Sequence, residues 1–279
     1  MRKMIRAFSR RQAAALLCLC TWTLGAHAGP KLYVFDCGIL NLDNVQMFNL
    51  SEDETDVRTL FVPCYVVEHE QGRLLWDAGL PLSYAEADGL VPTVGGTVGY
   101  ERSIVAQLGD LGLTPADIDY AAFSHLHWDH AGAANAFAGS TILMQQAEWD
   151  AAFSGAGAFV ETEFFDELVD SEKQMLDGDH DVFGDGSVKI IFAPGHTPGH
   201  QVLWVDLENY GPVLLSGDLY HFEANRRLRR PPNFNFDKPM TLKAMDRVES
   251  VLADTGATLW IEHSKALADT LEMAPAFYD

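Results

Sequence analysis

Directly after the apolar run 117–123 the chain reads Ser124-His125-Leu126-His127-Trp128-Asp129-His130-Ala131-Gly132, three histidines and an aspartate within six residues. Four titratable side chains at the end of a buried segment are costly unless something binds and neutralises them. As capping groups at a strand-to-helix turn, a single histidine would serve. In an extended or tightly turning segment, residues two apart share a face, so His125 and His127 can reach one ion. Asp129 and His130 can turn toward a second ion beside it. Imidazole nitrogen and carboxylate oxygen suit Zn²⁺ and related divalent metals.

Such a cluster cannot close two metal sites alone, so further ligands must arrive from elsewhere. Of the ten histidines, His69 and His180 lie in polar turns and read as solvent-exposed loop residues. His196 and His200 occur in "APGHTPGH" after an apolar strand, His221 follows "SGDLY", and His263 sits in "LWIEHS". Four strand ends thus deliver His or Asp, the places where loops carry function on a rigid scaffold. The assignment that follows puts His125, His127 and His196 on a first metal and Asp129, His130 and His263 on a second, with Asp218 bridging. Each metal keeps an open position, the mark of a catalytic rather than a structural site.

The surrounding pattern predicts the platform. "KLYVFDCGIL", "FVPCYVVEHEQGRLLWDAG" (a hairpin turning at 68–72), "IDYAAF", "STILMQQ", "VKIIFAPG", "HQVLWVDL", "PVLLSGD" and "TLWIEHS" read as strands. "RSIVAQLGDLGL", "AEWDAAF" and "MTLKAMDRVESVLADTG" read as helices, and 81–100, rich in Gly and Pro, as a long loop flanking a site. No repeat or linker divides the chain. The pattern predicts one α/β domain over 29–279, two packed sheets with helices outside.

Residues 1–28 carry a basic stretch, a short apolar stretch of about fifteen residues and a small-x-small end at Ala26-His27-Ala28, which reads as a secretory signal rather than a membrane span. "SRRQ" is a faint twin-arginine hint. Removing the five basic residues of that segment takes the net charge from −21 to −26. Such a surface repels nucleic acid and anionic lipid, so neither nucleic acid nor stable membrane association is expected of the mature chain. The expected location is periplasmic or secreted. Cys37 and Cys64 then stay behind, either as a disulfide or as two small buried residues in neighbouring strands.

"HLHWDH", "PGHTPGH", "GD" after a strand and a late His together resemble the metallo-β-lactamase superfamily. The lines "PCYVVEHEQGRLLWDAGLP", "SHLHWDHAGAANAF" and "APGHTPGHQVLWV" resemble its N-acyl-homoserine lactonases. The resemblance implies a four-layer αββα sandwich with a dinuclear centre, Zn²⁺ first among candidates, at one edge. It also implies that Asp77 in the "DAG" turn supports the site, although the residue alone reads equally as a turn former. The implied reaction is attack on a lactone carbonyl by a metal-bridging hydroxide, with Asp218 and Asp129 in catalysis. The familiar lactonases place a Tyr three residues beyond the bridging Asp. Here that place holds His221, and Tyr220 is the residue expected to assist. His263 is followed by Ser264 where Asp is common.

Other readings share these motifs. A β-lactamase generally lacks the Asp bridge. A glyoxalase II-like thioesterase usually carries a C-terminal extension, and 16 residues follow His263 here. A non-catalytic metal- or signal-binding protein would not need all seven ligands. Finally, Arg226, Arg227, Arg229 and Arg230 precede Pro231-Pro232 in a very acidic chain. That stiff segment reads as a solvated loop pairing with nearby acids or as a subunit contact in a homodimer.

Overall fold

In the computed structural model, residues 29–155 and 159–279 are described; the expected signal segment 1–28 lies outside them. The first sheet begins with β1 (Lys31–Leu42), β2 (Thr59–His69) and β3 (Gly72–Trp76), an antiparallel meander. β2 reads as nearly continuous apolar sequence because both of its faces are covered. Val62, Cys64 and Val66 point outward to helices, whereas Tyr65 and Val67 point inward to the second sheet. A hairpin of β4 (Val91–Thr93) and β5 (Gly96–Gly99) extends one edge along β1. On the other edge β6 (Tyr120–Ala122), β7 (Thr141–Gln145) and β8 (Lys173–Leu176) add in parallel to β3. The spatial order is β4-β5-β1-β2-β3-β6-β7-β8.

The second sheet contains β9 (His180–Asp181), β10 (Val188–Phe192), β11 (Gln201–Val205), β12 (Val213–Leu215) and β13 (Thr258–Trp260). Its order is β13-β12-β11-β10-β9, antiparallel except for the β12–β13 pair. Between the sheets, Leu32, Val34, Tyr65 and Trp76 meet Ile190, Leu203, Leu215 and Trp260.

Helices cover the outer faces. On the first sheet lie α1 (Leu82–Ala85), α2 (Ile104–Asp110) and α3 (Gln146–Phe153); α2 seats Ile104 and Leu108 against Phe35 and Val66. α4 (Glu223–Leu228) follows the second sheet's β12, and α6 (Lys265–Ala268) packs by β2. α5 (Lys238–Thr255) lays Ala244, Met245 and Val248 on Ile191, Val202 and Leu214. Burying Met245 and Val248 is worth about 1.5–3 kcal/mol each. The Asp237 carboxylate caps α5 by accepting the Met240 N–H at 2.7 Å, and Gly256, at φ 69°, ends it. The result is the αββα sandwich.

Three local expectations change. Residues 81–100 are not one loop but α1 and the β4–β5 hairpin. Gly96 permits this, since a Cβ there would lie 1.7 Å from the Asn41 carbonyl oxygen on the neighbouring strand. His69 is buried rather than exposed: its ring stacks on Phe183 and its Nε2 lies 3.0 Å from Asp185 Oδ2. The hairpin tip packs against the loop between β9 and β10, and this shields the imidazole. His180 stands half-buried in β9 instead of in a loop. Cys37 and Cys64, on adjacent β1 and β2, are joined in a disulfide.

Candidate metal centre

The strands β3, β6, β10, β12 and β13 all end at one edge of the sandwich, and each hands its next residues to the same site. After β6 the chain turns tightly, the N–H groups of His130 and Ala131 both donating to the His127 carbonyl. This turn folds Asp129 and His130 back beside His125 and His127. Ligand atoms of His125, His127, His196 and Asp218 lie within 4.8 Å of one another, and so do those of Asp129, His130 and His263. All seven side chains named from the sequence therefore converge, in the two expected groups.

Asp218 stands between the groups. Its Oδ2 is 3.1 Å from His196 Nε2 and 3.5 Å from His125 Nε2. Its Oδ1 is 3.2 Å from His130 Nε2 and 2.9 Å from His263 Nε2. Asp129 is held more loosely, its Oδ2 3.8–3.9 Å from His263 and His130.

The outer hydrogen bonds fix the imidazole tautomers. His263 Nδ1 donates to the Phe61 carbonyl at 2.7 Å, so its Nε2 presents a lone pair inward. His130 Nδ1 donates to Asp77 Oδ2 at 2.8 Å, with the same consequence. His196 Nδ1 donates to Asn235 Oδ1 at 3.2 Å, because the Asn235 amide group is spent on Thr241. His125 Nδ1 donates to Ser124 Oγ at 3.0 Å, the Ser124 hydroxyl proton being spent on Asp77, so its Nε2 faces inward too. Yet His130 and His263 Nε2 are only 3.2 Å apart, and His196 and His125 Nε2 3.1 Å apart. Lone pairs facing one another at such distances repel unless a cation lies between them. Asp218 Oδ1, fully buried, likewise has no hydrogen-bond donor. The donor set thus fits two divalent cations.

Electrostatics separate the two groups. Burial holds His125 and His127 well below the usual histidine range, and neighbouring imidazoles add to it. Burial would also lower His130 and His263, but the surrounding carboxylates, Asp218 above all, raise both. Asp218, although burial opposes its charge, is held well below the carboxylate range by His221, His130, His263 and His196.

Several residues outside the seven support the site. Asp77 sits in the left-handed region at φ 56° and is a turn former as well as a support. Its Oδ1 accepts the Ser124 N–H, and its Oδ2 accepts Ser124 Oγ–H and His130. His200 donates through Nδ1 to the Ala193 carbonyl and accepts the Asp218 N–H at Nε2, so it is a post for the bridge, not a ligand. Gly217 lets that post stand close, since a Cβ would meet both His200 and Ser124 at 2.7 Å. Glu148 and Glu262 are buried beside the site, and burial, with Asp77 adding, pushes Glu262 up to about 8. Ser124, Glu148 and Glu262 were missed because a lone Ser or Glu in an apolar segment announces no partner. Ser264, in place of the common Asp, caps α6 and bonds Glu223; the Phe61 carbonyl supports His263 instead.

The expectation for Tyr220 is corrected. Its hydroxyl donates to Glu249 Oε1 at 2.9 Å, and its ring packs under α5. After the short turn Gly217–Leu219 the backbone is extended at Tyr220 (φ −138°, ψ 124°), so consecutive side chains alternate. His221 therefore faces the site, its Nε2 2.9 Å from Asp218 Oδ2. The arginine segment spends three of its members on this chain's own acids: Arg226 on Glu249, Arg229 on Asp246 and Arg230 on Glu54.

A cavity of about 300 Å³ opens onto Asp129, Asp218, His221 and His263. Its walls include Leu40, Phe48, Trp128, Phe159 and Phe234, and the β4–β5 hairpin forms part of its rim. Among the described lining residues Asp129, Glu161 and Asp218 are acidic and none is Lys or Arg.

Comparison with known proteins adds independent findings. The family model described as the metallo-beta-lactamase superfamily matches residues 57–255. An N-acyl homoserine lactonase of a Bacillus species is 32% identical over 241 residues, covering 84% of this chain and 92% of the relative. N-acyl homoserine lactonase AttM of Azorhizobium caulinodans is 27% identical over 264 residues, covering 89% and 98%. A solved N-acyl homoserine lactone hydrolase with N-hexanoyl-L-homoserine, its product, at the catalytic metal centre superposes with a TM-score of 0.76. It is 29% identical and covers 90% of this chain and 99% of its own.

Proposed function

The chain belongs to the metallo-beta-lactamase superfamily, and within it we propose a dinuclear-metal hydrolase that opens the lactone ring of N-acyl-homoserine lactones. One observation carries the choice of substrate: a largely apolar cavity beside the seven-ligand cluster, with no Lys or Arg among its described lining residues. A β-lactam and a glutathione thioester each carry a carboxylate away from the reacting carbonyl, which a cationic side chain would hold best. An acyl lactone is neutral and brings an apolar tail.

When bound, two divalent ions, zinc our first choice for this imidazole and carboxylate set, acidify water and neutralise developing negative charge. His125, His127 and His196 would hold one ion and Asp129, His130 and His263 the other, with Asp218 shared. Asp129, the most loosely held of these acids and a cavity-lining one, is placed to take a proton and return it to the departing ring oxygen. His221, which burial holds at about 4 and hence neutral near pH 7, donates Nε2–H to Asp218 and fixes the bridging carboxylate. Phe48, Phe159 and Phe234 exclude water and receive the acyl tail. Export to the periplasm or medium belongs to the same proposal, supported by the signal-like residues 1–28 and by the Cys37–Cys64 disulfide.

The test is to purify residues 29–279, measure metals per chain, and follow proton release on an acyl-homoserine lactone, a simple lactone, a glutathione thioester and a β-lactam. Two metals with acyl-lactone turnover fastest is the expected result. A β-lactam or thioester turned over faster would overturn the substrate choice.

A further inference from the structure

Helix α3 sends one acid into the interior. Glu148 is 2% exposed, and its carboxylate lies between the two loops that bear the first group's histidines. Oε1 accepts the Leu126 N–H at 3.0 Å, and Oε2 accepts the Gly199 N–H at 2.9 Å. Leu126 is the residue between His125 and His127; Gly199 lies between His196 and His200. The two loops leave strands of different sheets, β6 and β10. Their bases are joined where the Gln201 N–H donates to the Ser124 carbonyl and the Gln201 amide to the Phe123 carbonyl. Glu148 makes the tie nearer the ligands themselves.

The approach is close on both sides. A Cβ on Gly199 would lie 2.4 Å from both Cβ and N of Glu148, so only glycine lets the loop meet the helix. A carboxylate that ligates nothing is expensive to bury, and here each oxygen is answered by one peptide N–H. We propose that Glu148 is a positioning residue of the metal centre: by accepting one N–H from each histidine loop, it sets the span between His125/His127 and His196. This rests on the dinuclear reading above but is independent of which ester is hydrolysed.

The use of both oxygens makes the role testable. Gln at this position keeps one acceptor and turns the other into an amide donor facing a peptide donor, which frees one loop. Gly199→Ala attacks the same contact from the loop side without altering the acid. The probe is Co²⁺ added stepwise to metal-stripped protein and read by its visible absorption, with circular dichroism reporting the fold. Wild type is expected to bind two equivalents. Glu148→Gln and Gly199→Ala should each bind one equivalent within about twofold of wild type, and the other roughly 10–100-fold more weakly with an altered spectrum, as loss of an outer tie does elsewhere. Two equivalents at wild-type affinity in both variants would overturn the proposal. So would equal weakening of both equivalents, the result of a merely structural role. A wild type that binds fewer than two equivalents would instead sink the dinuclear reading, and failure on lactones would leave the metal result standing.

Discussion

The two halves of the metal cluster share Asp218 but are built differently. The first is three imidazoles on loops that span the two sheets, braced by Asn235 and Glu148. The second is two imidazoles and Asp129, with Asp77 behind His130. The same burial therefore has opposite outcomes: His125 and His127 are pushed down, while carboxylates hold His130 and His263 up. Charge, more than geometry, distinguishes the halves. The second half calls for a cation more strongly and should fill first, whereas the first half depends on how well its loops are held apart.

The comparison breaks most completely at the shared residue. Asp218→Asn removes an anionic oxygen from both halves, so metal content should fall below one per chain, with lactone turnover down roughly 10²–10³-fold. Both are read by elemental analysis and proton release. Asp77→Asn should act mainly on the second half. It keeps one acceptor and turns the other into a donor facing Ser124 or His130. Metal titration should show the equivalent at His130 weakened about 10–100-fold, with a smaller loss at His125, which Ser124 contacts.

Acid should act on the buried neutral histidines. Burial holds His200 at about 3 and His221 at about 4 in the native state, against about 6.5 unfolded. Below pH 6.5 the unfolded chain binds protons that the native chain refuses. Their contribution is thus complete above pH 6.5 and lost as pH falls toward 3–4, on the order of 5 kcal/mol for His200 alone. His130 and His263, raised, contribute fully below 6.5 and lose that contribution only as pH rises through their native values, so they do not cancel this slope. Melting of metal-stripped protein from pH 7 to 4 should show a steady fall, shallower in His200→Gln.

The smallest effect is the sharpest on side-chain direction. Tyr220→Phe should leave turnover within about twofold and cost about 1 kcal/mol of stability for its bond to Glu249. His221→Phe should lower kcat more than it changes KM, since it frees Asp218 while keeping an aromatic ring against Phe48 and Phe234 of the cavity wall.

These contrasts mark what a sequence can carry. The strands, the packed sheets and the seven converging side chains were legible, because apolar periodicity and His or Asp at strand ends are local signals. Helices outside two packed sheets followed from the pattern, and the four-layer αββα form from the family resemblance. The side-chain choice between Tyr220 and His221 was not legible: it depends on one extended residue after a short turn, and a one-residue shift flips a face. His69 looked exposed because its cover, Phe183 and Asp185, comes from more than a hundred residues away. Glu148 was invisible for the same reason, its partners lying 22 and 51 residues off.

The central claim is a two-metal centre, shared through Asp218, that opens a neutral lactone. Zinc added stepwise to the metal-stripped chain, with hydrolysis of an N-acyl-homoserine lactone followed at each step, tests it most directly. Activity should stay low through the first equivalent, rise with the second and level off at two per chain. Full activity with metal well below one per chain, or no lactone opening at two, would contradict it.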